Sequence, residues 1–429
     1  MGDCRGDTLM PIIYLAAGLI LLVLIGAPLF SVIGAISLFG FSNEGIDTAA
    51  VIIELYRLAS QPVLLAIPLF TVAGYFLAES KAPLRIVALA QTLIGWMPGG
   101  LAIVVLLSCA VFTAFTGGSG VTIVALGGLV FPILISEKYS EKFALGLVTT
   151  SGSLGLLFPP SLPIILYGTF AEVSVDSLFK AGVVPGVILM LCVALYSIQQ
   201  GSKAHVPRHP FEAKKAWAAI KAIAWEIPLP FFIIFGIYGG LFTATEAAAV
   251  TAFYVFIVEV FIYKDLKLMT DVPRVMKESM VLVGAILMIL GCAMGLTSYL
   301  IDQQVPQKLF EYISQVVSSK IFFLIILNIF LFIIGMMMEI FSAIVVVPLI
   351  VPVAKQYGID PIHLGIIFLA NLEIAYLLPP VGLNLFMASF RFKKPIGEVA
   401  IATLPFIFVL FIALILITYI PELSLWMVD

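Results

Sequence analysis

The 429-residue chain is 62% hydrophobic and only 11% charged, with a mean hydropathy of +1.18. Soluble domains are about half apolar and about a quarter charged, so a soluble fold is excluded, and a net charge of −3 points to no nucleic-acid partner. Apolar runs at 10–41, 98–135, 143–171, 181–198, 227–263, 321–353 and 402–420 are each long enough to cross a bilayer or to enter it and return, which predicts an all-α polytopic membrane protein.

In chain order, residues 1–9 are a polar overhang with no assigned role. Helices follow at about 10–25 and 28–41, then an acidic outer loop at 42–61 and a helix at 62–78. An amphipathic stretch at 84–96 lies along the interface. A first hairpin, 98–135, enters and returns to the same side; a broken helix spans 143–169 and a further helix 181–199. The longest polar stretch, 200–226, reads as a loop. Helices at 228–240, 244–262 and 279–301 come next, with a short arm at 306–317. A second hairpin covers 320–353, a second broken helix 362–390, and the last helix 402–420.

The second half of the chain repeats the first at an offset of 220 residues. Pro132 matches Pro352, Pro159-Pro160 match Pro379-Pro380, and Pro185 matches Pro405. Proline inside an apolar helix removes a hydrogen bond and clashes with the preceding turn, so paired prolines at matching places predict two broken helices. All of the 22 Lys and Arg except Arg5, Arg57, Lys180, Lys308, Lys320 and Lys355 then fall on one side of the membrane. The positive-inside tendency makes that side cytoplasmic and both termini periplasmic. The expected architecture is two inverted-topology repeats, residues 1–220 and 221–429, each with a re-entrant hairpin and a broken helix.

Four stretches interrupt the helical pattern within these spans: the tips Ala114–Thr122 and Gly335–Ala343, and the breaks Thr149–Ser161 and Ala370–Asn384. Unwound backbone at membrane depth is tolerated where it lines a cavity. Broken helices in corresponding halves point to a transporter's binding site, where carbonyls and hydroxyls hold cations and helix N-termini hold anions. Glu246, Glu339 and Glu373 are charges within apolar spans, each costing roughly 2.5–3.5 kcal/mol at the bilayer centre. Glu246, at a helix start, reads as a capping residue. For Glu339 and Glu373 two readings stand: coupling a cation to substrate, or organising the fold through a local partner. Met336–Met338 read as flexible packing. Cys109, Cys192 and Cys292 read as small buried hydrophobes, and His205, His209 and His363 as dispersed loop residues without ligand spacing. No nucleotide-binding motif or catalytic constellation is present in the sequence, which argues against an enzyme; inverted repeats argue for alternating access rather than a channel.

The segments "AGVVPG", "FTATEAAAV", "YGIDPIHLGII", "NLEIAYLLPPVGLNLFMAS" and "SGSLGLLFPPSLPIILYG" resemble the large membrane subunit of tripartite ATP-independent periplasmic (TRAP) transporters, along about residues 10–429. The resemblance implies an elevator-type transporter of the bacterial inner membrane, driven by Na⁺. Its implied partners are a small four-helix membrane subunit and a periplasmic substrate-binding protein. The implied substrate is an organic acid, a C4-dicarboxylate first and sialic acid second. It implies one Na⁺ site between the first tip (Thr116, Gly117, Ser119) and the first break (Ser151, Gly152, Gly155), with Gly118, Pro159 and Pro160 among the residues that bind substrate or Na⁺ there. A second lies between Glu339 and Ser342 and the break carrying Asn371, Glu373, Ala375, Pro379 and Pro380. The first tip reads "TGGSG" where the family often has Ser-Gly-Ser-Ser, and Ala375 and Leu378 stand where Gly and Thr are frequent, which moves coordination toward backbone carbonyls. A same-fold symporter that needs no binding protein is the alternative.

Overall fold

The computed structural model describes residues 27–97, 99–203, 212–317 and 319–428, and every regular element among them is helical. Seven helices there are long and apolar enough to cross a membrane; the chain is a polytopic helical membrane protein. The expected helix at 10–25, with Cys4, His205 and His209, lies outside the described residues.

The first elements are α1 (Leu29–Asn43), α2 (Ala49–Ala59), α3 (Ala66–Glu79), entered through a 3₁₀ turn, and the arm α4 (Ala82–Ile94). The hairpin is α5 (Gly100–Thr116) and α6 (Ser119–Ser136). The broken helix is α7 (Glu141–Ser151) and α8 (Leu162–Ala171), and α9 (Val175–Lys203) follows. After α10 (Ala213–Ala222) come α11 (Pro228–Tyr238), α12 (Ala244–Ile257), the long α13 (Asp271–Asp302) and the arm α14 (Val305–Val316). The second hairpin is α15 (Lys320–Met337), the single turn α16 (Ile340–Ala343) and α17 (Val347–Gln356). The second broken helix is α18 (Pro361–Ala375) and α19 (Leu383–Phe392). The chain closes with α20 (Ile396–Tyr419) and α21 (Glu422–Leu425).

Two corrections concern stretches expected to be loops. Within 42–61, α2 forms because "AAVIIELYRLA" repeats apolar residues at helical spacing and buries Val51 and Leu58 against α13. Within 200–226, α9 continues to Lys203 and α10 buries Ala216 against α4. Low overall hydropathy hid these helices, since an amphipathic helix needs only one apolar stripe.

Two packing groups emerge, and each draws on both halves of the sequence. In the first, α13 lies along α1, α2 and α3, and α12 packs on α3. In the second, α7 and α9 pack on α20, α15 on α18, and α5 on α6, α7 and α9. The arm α4 is tied to the first group by charge. Arg85 Nη1 donates to Asp265 Oδ2 at 2.6 Å and Nη2 to Glu259 Oε2 at 3.0 Å, while the same guanidinium binds Glu226 and lies 4.0 Å from the centroid of the Tyr263 ring. At the start of α12, Glu246 accepts from Thr243 N at 2.8 Å and completes a capping box, the role expected of it. His363 is corrected: it sits in α18, buried, 3.2 Å from Ser424 Oγ and 3.3 Å from Thr418 O.

Candidate functional site

At the first tip the chain reverses over two residues. Gly117 has φ +65° and its N–H donates to Thr113 O at 2.8 Å; Gly118 is extended, and α6 starts at Ser119. Only glycine takes that left-handed position without cost, and a Cβ there would lie 2.6 Å from Leu162 Cδ1. At the second tip Met338 and Glu339 are both extended, so no glycine is required. The turn falls in the middle of the predicted stretch. Gly335 instead lies inside α15, where a Cβ would sit 2.6 Å from the Ala375 Cβ on α18.

Both tips line one cavity of about 410 Å³. Thr116, Gly117, Gly118, Ser119 and Gly120 come from the first; Glu339, Ile340 and Phe341 come from the second. Leu162 and Leu383, the first residues of α8 and α19, also reach it, as do Tyr75 and Glu79 of α3 and Tyr376. Three helix N-termini, those of α6, α8 and α19, therefore end at the cavity with their positive dipole ends and unsatisfied N–H groups. No basic side chain lines it among the described residues. Thr116 and Ser119 are buried, and Glu339 is exposed to the opening. The volume is that of a small-molecule site.

The other predicted residues do not line this cavity; all but Ser342, which is in the second hairpin, belong to the breaks. Ser151 donates to Leu147 O at 2.7 Å within its own helix. A Cβ on Gly152 would lie 3.3 Å from Ser119 O, and one on Gly155 would overlap Ala110 O, so the first break lies directly on the hairpin. Pro159-Pro160 and Pro379-Pro380 are cis peptides outside the cavity. Ser342 is half-buried, its N–H bonded to Glu339 O at 2.9 Å. Asn371 Nδ2 donates to Ile367 O and to Asn328 Oδ1, both at 2.7 Å, while its Oδ1 has no partner among the described residues. Glu373 is 1% exposed, and neither carboxylate oxygen has a hydrogen-bond partner among the described residues.

Several residues at the site were not anticipated. Thr113 Oγ1 lies 2.9 Å from Gly152 O, 2.8 Å from Cys109 O and 2.7 Å from Thr122 Oγ1. Its one proton serves one of the carbonyls, and Thr122 donates to it. This ties both arms of the hairpin to the break. The signal was available, since Thr113 and Thr122 flank the tip at helical spacing, but hydroxyls one turn inside an apolar helix usually bond only their own backbone. Asn328, in the middle of α15, was legible only as a polar residue in an apolar run. Ser153 Oγ donates to Glu373 O at 3.3 Å, across 220 residues of sequence, so the broken helices cross at matching positions.

An apolar helical body, two broken helices crossing at equivalent points, and two tips meeting in a cavity define a membrane transport protein. The chain belongs to the family "Tripartite ATP-independent periplasmic transporter, DctM component", whose model matches residues 16–423. It is 37% identical to the C4-dicarboxylate TRAP transporter large permease protein DctM of Pseudomonas aeruginosa, over 91% of this chain and 92% of that protein. It is 30% identical to the ectoine TRAP transporter large permease protein TeaC of Halomonas elongata, over 97% and 98%. Among solved structures, the YdaH transporter of Alcanivorax borkumensis superposes with TM-score 0.60 over 86% of each chain at 15% identity, a likeness of fold alone. These family members are permeases, not enzymes.

Proposed function

We propose that this chain is the transport subunit of a Na⁺-coupled importer of an organic acid across the bacterial inner membrane. The lead substrate is a C4-dicarboxylate, the acid in the names of relatives from three organisms, with sialic acid second. The observation that carries the reading is the single cavity into which both tips and three helix N-termini converge. A carboxylate there meets positive helix ends, while Glu339 repels it; Glu79 is offset by Arg274 at 2.8 Å. A bound cation offsets that repulsion and makes anion binding depend on it.

The first Na⁺ position lies between Thr116, Gly117 and Ser119 and the break at Ser151, Gly152 and Gly155. The Gly152 carbonyl beside Thr113 and Thr122 supports it with hard oxygen donors. The second lies between Glu339 and Ser342 and the break at Asn371 and Ala375, supported by the unpartnered Asn371 Oδ1. Residues 1–220 and 221–429 act as inverted repeats; the Ser153–Glu373 contact is what a two-fold axis through matching residues produces. The group holding α5–α9 and α15–α20 moves as an elevator against the group holding α1–α3 and α11–α13. Both termini are periplasmic, and the cavity, bordered by Glu79 beside Lys81, opens to the cytoplasm. A small four-helix membrane subunit completes the scaffold, and a periplasmic binding protein delivers substrate. The relative named as the isethionate TRAP transporter permease protein DctMQ is longer; this chain's match covers 58% of it, in keeping with a companion subunit fused there.

The test is co-reconstitution with the small subunit and the binding protein, following labelled succinate under an inward Na⁺ gradient. Uptake should require both Na⁺ and the binding protein. Equal uptake when K⁺ replaces Na⁺ removes the coupling. Equal uptake without binding protein makes the chain a self-sufficient symporter. Uptake of sialic acid but not succinate reassigns the substrate.

A further inference from the structure

We propose that Arg391 is a specificity-determining residue that selects the substrate by charge at the cytoplasmic end of the cavity; this rests on the organic-acid reading above. The cavity wall includes Val121, Val124 and Ala125 from α6 and Leu383 and Met387 from α19. Steps of three and four residues keep a helix face. Gly128 therefore continues the stripe on α6, and Arg391 continues the stripe on α19. Arg391 Nε donates to Val124 O at 2.8 Å, joining the two stripes where they leave the tips. At 1.5 Å per residue, Gly128 is about 14 Å along α6 from Ser119, so the guanidinium stands at the cavity's end rather than its floor.

The position is built. A Cβ on Gly128 would overlap the guanidinium, and one on Gly127 would lie 3.1 Å from Phe392 Cζ. The Phe392 ring packs on Phe131 at 4.6 Å between centroids. Two glycines thus open a seat on α6 for Arg391 and its neighbour. The dipole of α19 favours any cation in its last turn, but that does not require bare backbone beneath it. Two other cations of this region are paired, Lys394 with Glu141 at 2.7 Å and Arg274 with Glu79 at 2.8 Å. Arg391 has no carboxylate partner among the described residues, and its Nη atoms have no acceptor there. A guanidinium with its Nη atoms free presents the fork that matches a carboxylate. It supplies the fixed positive side chain that the walls, bearing Glu79 and Glu339, lack.

The experiment measures equilibrium binding of labelled succinate to the membrane complex of this chain with its small subunit, in Na⁺ buffer, with succinate or its monoamide succinamate as competitor. The two ligands have similar shape and differ by one negative charge. Arg391→Gln should weaken succinate binding about fivefold, the scale of one partly exposed charge pair, and leave succinamate nearly unchanged. Arg391→Lys should fall between, keeping the charge but losing the fork. Gly128→Ala, which pushes the guanidinium off its seat, should shift the preference about threefold in the same direction and serves if Arg391→Gln does not fold. A purely structural role would weaken both ligands together. An unchanged succinate-to-succinamate preference in whichever of these variants folds overturns the inference. Absence of Na⁺-dependent succinate binding in the unaltered complex removes the organic-acid reading, and this inference with it.

Discussion

At two matching positions the halves of this protein place a serine in the first and a glutamate in the second: Ser119 against Glu339 at the tips, and Ser153 against Glu373 at the breaks. The backbone plan around them is shared, but the chemistry is not. In the first half Thr113, Thr122 and the Gly152 carbonyl form one network, and the tip and break groups left without a partner among the described residues are neutral hydroxyls, those of Thr116, Thr150 and Ser161. In the second half Thr113 is matched by Ile333 and Gly152 by Leu372, and the buried polar atoms of Asn371 and Glu373 include unpartnered ones. The packing differs in the same sense. Gly182 and Gly186 on α9 make room for Leu157 and Phe158 of the first break. Their counterparts on α20 are Ala402 and Phe406, and Pro379 and Pro380 are exposed. At the tips and breaks the first half offers neutral polar groups, and the second carries the carboxylates. A buried carboxylate without a partner is costly, so under the proposed coupling it is the second half where compensation by a cation is expected to matter most.

The largest effect should come from the second break. Glu373→Gln keeps the shape and removes the charge. Na⁺-driven uptake should fall by about tenfold or more, equivalent to roughly 1.4 kcal/mol, and the rise of the thermal midpoint on adding Na⁺ should shrink because the variant has no carboxylate to offset a bound cation. Uptake and melting curves across Na⁺ concentration measure both. Wild-type coupling in Glu373→Gln and in Glu339→Gln would make the two halves chemically equivalent and leave coordination to neutral donors. Next is the first-half network. Thr113→Val leaves polar partners unmet and should destabilise by about 1–3 kcal/mol, read from the unfolding midpoint, whereas exchange of Ile333 for Val should be mild. Gly117→Ala forces a left-handed alanine and should destabilise by about 1–2 kcal/mol. Glycine at the matching Met337, which is helical, should cost about 1 kcal/mol for the ordinary reason of helix propensity. The smallest effect belongs to Ser119→Ala. It should raise the Na⁺ concentration for half-maximal uptake about threefold, because Thr116 and backbone carbonyls remain as donors. An unchanged half-saturation would remove Ser119 from the cation site.

Much of this architecture was legible in the residue order because its causes are local. Hydropathy marks spans, proline pairs mark breaks, and "TGGSG" marks a tip, each acting over a few residues; the 220-residue offset then ties the two halves together. The capping role of Glu246 was readable for the same reason, its partner Thr243 being three residues away. Amphipathic helices such as α2 and α10 escaped because a single buried stripe barely alters mean hydropathy. Tertiary structure alone decided which polar groups meet. Thr113 finds Gly152 across 39 residues, Asn371 finds Asn328 across 43, and Ser153 finds Glu373 across 220. It also separated Thr116, Ser119 and Glu339, which line the cavity, from Ser151, Asn371 and Glu373, which do not. Those outcomes depend on how helices cross. Crossing is set by side-chain packing summed over whole faces, and no single stretch of sequence carries that information.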